Sequence, residues 1–249
     1  MKILLTNDDG YNADGIQFVF KYFTEKGHSV KMVAPDGQRS GFSQKITIVD
    51  PVSEKRIDEN ILALSGTPAD CVLYTLRGLI ADFKPDLVIA GVNDGANVGL
   101  DIIYSGTDAA ARQGAMLGVP SIALSFKWRD DGTPMNETMI RLFLDRYFDR
   151  MCELAQDTSS FVNVNFPISA TDTPEVCSTF VSRKMAYQDE IISFDAPNCK
   201  RYSWIRDASD QAILHASLEV GSDAYELLVQ HHISVSVVDV YPGSKEFKI

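Results

Sequence analysis

Apolar positions in the first two thirds of the chain alternate between short continuous runs and spacings of three to four residues. Ile3 to Thr6 reads as a buried first strand. Ile16, Val19, Phe20 and Phe23 then recur on one helical face, and Gly27 closes that helix. Val30 to Ala34 predicts a second strand, halted by Pro35-Asp36-Gly37. Thr67-Pro68-Ala69-Asp70 has the makings of a helix start: a capping hydroxyl, a proline in the first turn and an acid three residues after the cap. Val72, Leu76, Leu79, Ile80 and Phe83 form the stripe that follows. Leu87 to Ala90 predicts a third β segment, and an alanine-rich helix is expected from near Thr107. Val119 to Phe126 is another strand. An amphipathic helix carries Met139, Leu142, Phe143 and Met151, and Phe161 to Asn165 is a further strand.

Strands alternating with helices are the mark of βα units. They predict an α/β fold, a Rossmann-like, mostly parallel sheet with helices on both faces. After Pro167 the helical period fades and β-rich stretches such as Ile233 to Val238 take over. Residues 1–169 are therefore expected to form the core, and 170–249 a β-rich, antiparallel extension suited to oligomerisation.

Composition narrows the partners. With 34 acidic residues against 23 basic ones the net charge is -11, which disfavours a surface for nucleic-acid polymers. A small phosphate ester is still compatible where a metal ion or backbone N–H groups reverse the local field. Cys71, Cys152, Cys177 and Cys199 lack C-x-x-C spacing, which argues against a structural zinc site or a disulfide scaffold. The apolar run after Met1-Lys2 is too short for a signal peptide, and no segment approaches a membrane span, so a reduced cytoplasmic protein is expected.

Ligands of open α/β sheets gather beyond the carboxyl ends of the strands. The loop after the first strand is Thr6-Asn7-Asp8-Asp9-Gly10, whose adjacent carboxylates repel unless a cation lies between them. An ordinary Asx turn would carry the same residues. After the second strand comes Asp36-Gly37-Gln38-Arg39-Ser40-Gly41, either a turn or a source of a hydroxyl from Ser40 and a cation from Arg39 for a phosphate. After the third comes Gly91-Val92-Asn93-Asp94-Gly95-Ala96-Asn97-Val98-Gly99, whose glycines permit close backbone approach and whose asparagines offer carbonyl or amide groups. Tyr104-Ser105-Gly106-Thr107 precedes Ala109-Ala110-Ala111, so small residues open a helix whose N-terminus suits an anion, with Thr107 as an alternative simple cap.

Six of these segments, in order, resemble the SurE family. They are Asn7 to Gly10, Ala34 to Gly41, Gly66 to Cys71, Gly91 to Asn93 with Gly95 and Asn97, Tyr104 to Thr107, and Asn163-Val164-Asn165-Phe166-Pro167. The resemblance implies hydrolysis of nucleoside 5′- and 3′-monophosphates, with polyphosphate activity in some members. It implies one divalent metal per subunit, with ligands falling on Asp8, Asp9, Ser40 and Asn93, and a cytoplasmic homodimer or homotetramer. Departures from the family pattern are Ala90, Asn12-Ala13-Asp14, His231-His232 and the stretch from Cys177 to Gly221; they bear on substrate preference and assembly.

An all-oxygen ligand set suits Mg²⁺ or Mn²⁺ rather than zinc. Asp8, Asp9 and Asn93 are the expected catalytic residues. Arg39, Gly41, Asn97, Ser105, Gly106 and Thr107 are the expected phosphate contacts. The nucleophile, water or a side chain, is left open, and His28, His215, His231 and His232 are expected to be structural or solvated. Three rivals stand beside this reading. An aspartyl-phosphate phosphatase normally separates its two aspartates by one residue, whereas Asp8 and Asp9 are adjacent. A non-catalytic nucleotide sensor would have little use for that pair. A dinucleotide-dependent dehydrogenase would carry G-x-G-x-x-G in the first loop, which is absent.

Overall fold

The computed structural model describes residues 1–127, 134–184, 189–197, 200–207, 215 and 217–243. Its central sheet has nine strands: β1 (Lys2–Thr6), β2 (Ser29–Pro35), β3 (Glu54–Arg56), β4 (Ile61–Leu64), β5 (Leu87–Asp94), β6 (Ser121–Phe126), β7 (Ser160–Phe166), β8 (Val176–Thr179) and β11 (Ile233–Asp239). They lie in the order β3-β4-β2-β1-β5-β6-β7-β11-β8. From β4 through β7 every neighbouring pair is parallel, while β3 and β11 run antiparallel to β4 and β7. The chain moves outward from β1 in two directions, so the loops after β1 and β5 part and leave a crevice between them.

Helices α1 (Asp14–Glu25) and α5 (Glu137–Leu154) cover one face, where Ile16, Phe23, Ile140 and Phe143 pack on Leu5, Ile89 and Val164. Helices α2 (Pro68–Tyr74) and α4 (Gly106–Met116) cover the other, with Cys71, Ala110 and Ala111 against Leu4, Val88 and Phe161. Strands buried on both sides read as unbroken apolar runs, which is why β1 and β5 were visible in the sequence. Burying a side chain such as Phe23 or Phe166 contributes roughly 1.5–3 kcal/mol. The alanines of α4 let it lie close to the sheet, and at Gly114 a Cβ would come within 2.3 Å of Ser121 Oγ.

Several expectations change in detail. The α2 capping box forms, Thr67 accepting from Asp70 N–H and Asp70 from Thr67 N–H. Its helix does not continue to Phe83, however. After Tyr74 the chain widens into a π-turn over Thr75–Leu79, and Gly78 at φ +102° ends it, a conformation a β-carbon resists. Strands β3 and β4 had no predicted counterpart, because Ile61-Leu62-Ala63-Leu64 is too short a run to tell strand from helix. Beyond residue 170, β8 and β11 join the main sheet, and only β9 (Asp189–Asp195) and β10 (Arg201–Asp207) make a separate antiparallel ribbon. Two short helices complete the described residues, α3 (Asp101–Tyr104) and α6 (Asp223–Leu228). No helix among the described residues is long and apolar enough to cross a membrane. Cys71, Cys152 and Cys177 are unpaired, and Cys199 lies outside the described residues.

Candidate active site

At the end of β1 the chain turns on Asn7. Its Nδ2 donates to Gly10 O at 2.9 Å, and Gly10 N–H donates back to Asn7 Oδ1 at 3.2 Å. Gly10, at φ +103°, sits against Gly37, whose Cα would be 3.2 Å from an added Cβ. The loops after β1 and β2 are thereby held side by side, and Arg39 N–H donates to Asp8 O at 2.7 Å. The turn is what a rigid strand could not supply: successive extended residues would send Asp8 and Asp9 to opposite faces.

Asp8 is buried. The Thr107 hydroxyl donates to its Oδ1 at 2.6 Å, and the Gly106 backbone N–H also bonds to it. Contact here is so close that a Cβ on Gly106 would lie 2.8 Å from Asp8 Cβ. Burial pushes the Asp8 carboxyl up to about 6, against the opposing effect of the Thr107 bond. Asp9 is also raised by burial; its Oδ2 accepts from Asp94 N–H at 3.1 Å, and the Gln38 side chain bonds to it. Gln38 Nε2 in turn donates to Ser40 Oγ at 2.9 Å, linking Ser40 to the Asp9 corner.

Asn93 is buried after an irregularity in the β5–β6 pairing that lies between Ala90 and Asn93. Its Nδ2 donates to Gly95 O at 2.7 Å, which leaves its amide oxygen as the group it can offer a ligand. Oxygen-bearing side chains thus come from three neighbouring loops: Asp8 and Asp9 from the first, Ser40 from the second and Asn93, which shares a cavity wall with Asp9, from the third. The carboxylates, buried at Asp8 and partly buried at Asp9, form no salt bridge with a lysine or arginine among the described residues. The nearest cationic side chain in these loops, Arg39, is paired with Asp36 at 2.6 Å. Such a set fits a hard divalent cation and would be poorly stabilised without one.

Other sequence candidates already have partners within the protein. The N-terminus of α4 is indeed directed at an anion, but within the protein that anion is Asp8. Ser105, rather than Thr107, caps the helix, accepting from Asp108 N–H at 3.0 Å. Asn97 is tied to the sheet. Its N–H donates to Asn165 Oδ1 at 2.7 Å and its Nδ2 to Ser125 Oγ at 2.8 Å. Its carbonyl accepts from Asn163 and Asn165 at 2.8 and 3.0 Å. Gly41 stays on the exposed rim beside Ser40.

Four features have roles that the sequence reading did not assign. Asp108 is fully buried near Asp8, and burial pushes it up to about 8 against the opposing effects of Ser105 and Arg112. Asp94 contributes only its backbone N–H to Asp9. Asp223, at the start of α6, accepts from Gly99 N–H and Ser182 N–H, both at 2.8 Å, and so anchors the glycine-rich loop to the C-terminal part. Asn163 and Asn165, two apart on a buried strand, face Asn97 together; polar residues alternating inside an apolar run were the available signal. A cavity of about 720 Å³ opens beside Asp9, Asn93 and Asp94, with Phe18, Phe126 and Met135 among its walls.

A model of the family described as Survival protein SurE matches residues 3–188. A protein named 5′-nucleotidase SurE from Nitrobacter winogradskyi is 40% identical over 185 residues, covering 74% of this chain and 71% of that one. Another of that name, from Geotalea daltonii, is 34% identical over 236 residues, 95% of this chain and 92% of that one. The crystal structure of a SurE protein from Aquifex aeolicus matches with a TM-score of 0.80 at 30% identity, covering 97% of this chain and 94% of that one.

Proposed function

The chain belongs to the SurE family, and from that premise we propose that it is a 5′-nucleotidase, a phosphohydrolase acting on nucleoside monophosphates. The observation that carries the reading is the paired acid corner, where Asp8 is buried against Thr107 and Gly106 and Asp9 accepts from Asp94 N–H, with no cationic side chain paired to either among the described residues.

Asp8, Asp9, Ser40 and Asn93 would hold one divalent ion per subunit, Mg²⁺ or Mn²⁺ by the hardness of the donors. When bound, that ion supplies charge neutralisation and Lewis acidity toward a phosphoryl oxygen. The remaining work falls to the chain. Thr107 and Gly106 hold Asp8 in one rotamer and bias it toward its charged form. Asp94 N–H and Gln38 do the same for Asp9. Arg39, Ser40 and Gly41 line the open side, where a phosphate would enter, and Ser105 sets the first turn of α4 behind it. Asn97 acts as a positioning residue, fixing the glycine-rich loop to β6 and β7. The cavity beside Asp9 and Asn93 has room for a nucleoside, with Phe18 and Phe126 offering apolar surface to a base. In-line attack requires the nucleophile and the leaving ribose oxygen on opposite sides of phosphorus, so the acid corner and the cavity have separate tasks. Assembly as a homodimer or homotetramer and a cytoplasmic location belong to the same reading.

The test is phosphate release from a panel of nucleoside monophosphates by chelated and metal-reconstituted protein. Activity should vanish with EDTA and return with Mg²⁺ or Mn²⁺. Asp9→Asn should fold normally and lose about 10³-fold in rate, the scale of removing a preorganised charge from a reacting phosphoryl group. Wild-type turnover in Asp9→Asn would overturn the assignment.

A further inference from the structure

A second group of ligating side chains lies outside this site. Cys177 on β8, Glu226 on α6 and His232 just before β11 each present one donor atom, and the three atoms lie within 4.8 Å of one another. Cys177 Sγ is 3.4 Å from His232 Nδ1, and Glu226 Oε2 is 2.9 Å from the same nitrogen. One ring nitrogen has a single in-plane direction for a proton or a lone pair. A thiol and a carboxylate converging on that nitrogen therefore do not form a relay of the Cys–His–acid type, in which the two partners occupy opposite nitrogens. They face a common space instead.

The dimensions of that space suit a metal. Tetrahedral zinc with Zn–S of about 2.3 Å and Zn–N or Zn–O of about 2.0–2.1 Å sets S···N near ~3.5 Å and N···O near ~3.3 Å. The observed 3.4 and 2.9 Å need only a few tenths of an ångström of opening. The backbone already joins the contributing segments. His232 N–H donates to Glu226 O at 2.9 Å, Ile233 N–H donates to Glu175 O at 2.8 Å, and Thr179 and Ser236 share a hydroxyl contact at 2.7 Å. Glu175 Oε2 stands 3.8 Å from His232 Nε2, on the far side of the ring and beyond hydrogen-bond distance, so the inner nitrogen alone faces Cys177 and Glu226. The His232 and Glu226 side chains keep 24% and 13% exposure, enough for an ion to enter and for water to complete its shell.

We propose that Cys177, Glu226 and His232 form a three-ligand site for a borderline-soft divalent ion, Zn²⁺, that clamps β8, α6 and the start of β11 together. A thiolate–imidazole–carboxylate set selects zinc over Mg²⁺, the reverse of the oxygen-only corner at Asp8 and Asp9. The proposal is independent of the nucleotidase reading.

Cobalt(II) separates the two sites, because only a thiolate ligand gives an intense near-ultraviolet charge-transfer band. Full-length protein, reduced and stripped with EDTA, is titrated anaerobically with Co²⁺ and then with Zn²⁺. One thiolate–cobalt band per chain is expected, bleached by stoichiometric Zn²⁺. It should be lost in Cys177→Ser and in His232→Ala, and kept in Cys152→Ser. Absence of the band in wild-type protein overturns the proposal, as does its survival in either Cys177→Ser or His232→Ala.

Discussion

Two places on one rim of the sheet make an instructive pair. Asn93 on β5 pairs with Ser125, Ser125 with Asn165, Asn165 with Ser234, and Ser234 with Cys177 on β8. Asn93 and Cys177 are thus the two ends of a single row across five strands, about 19 Å apart at ~4.8 Å per strand. At the Asn93 end the donors are all oxygen, graded from buried Asp8 and Asn93 to exposed Ser40, with like charges adjacent. At the Cys177 end they are sulfur, nitrogen and oxygen on three segments, partly open to water. The same backbone scaffold therefore supports two donor chemistries, and what separates them is the residue type each strand end delivers.

The difference can be broken at the acid end first. Thr107→Val removes the hydroxyl that satisfies Asp8 and leaves a buried carboxylate one bond short. The loss of roughly 1–3 kcal/mol predicts about a 5- to 160-fold drop in nucleotidase rate. On the proposed reading Thr107 acts through Asp8, so the drop should appear in kcat more than in KM; a matching rise in KM would point to a phosphate contact by Thr107. An unchanged kcat would show that the Asp8 rotamer is fixed by other contacts.

A smaller effect concerns Asp108. Its folded-state value near 8 lies above the ordinary carboxylate value of 3.8. The unfolded chain therefore gives up this proton first, and stability attributable to Asp108 falls as pH rises from about 4 toward 8. Asp108→Asn should gain on wild type by at most roughly 1.4 kcal/mol per pH unit between pH 5 and 7. Urea unfolding at the two pH values measures it, and a gain independent of pH would contradict a neutral, buried Asp108. The smallest expected change sharpens the comparison from the other end. Excess Mg²⁺ should leave the thiolate–cobalt band undiminished, because a hard ion competes poorly for sulfur. Displacement of the band by Mg²⁺ would remove the distinction between the two ends.

Legibility in the sequence followed how local each feature is. The acid corner could be read because Asn7, Asp8, Asp9 and Gly10 are contiguous, and the strand before them is an unbroken apolar run. The α2 start could be read because a capping box spans four residues. Asp108 could not, since an acid in a first helical turn is ordinary and only burial makes it unusual. Asn97 looked like a free donor because nothing nearby in sequence shows that Asn163 and Asn165, more than sixty positions on, take up its backbone and loop. The scattered cysteines argued against zinc for the same reason: Cys177, Glu226 and His232 share no spacing motif.

By itself the sequence determined the βα alternation and the loops that place acids, amides and hydroxyls after the strands, because periodicity, caps and turn residues act over a few positions. Tertiary structure alone decided which donors are already engaged, which carboxylates lie beyond water's reach, and that a thiol, an imidazole and a carboxylate meet at the sheet's far edge. Those depend on strand order and register, which bring together residues that chain distance keeps apart.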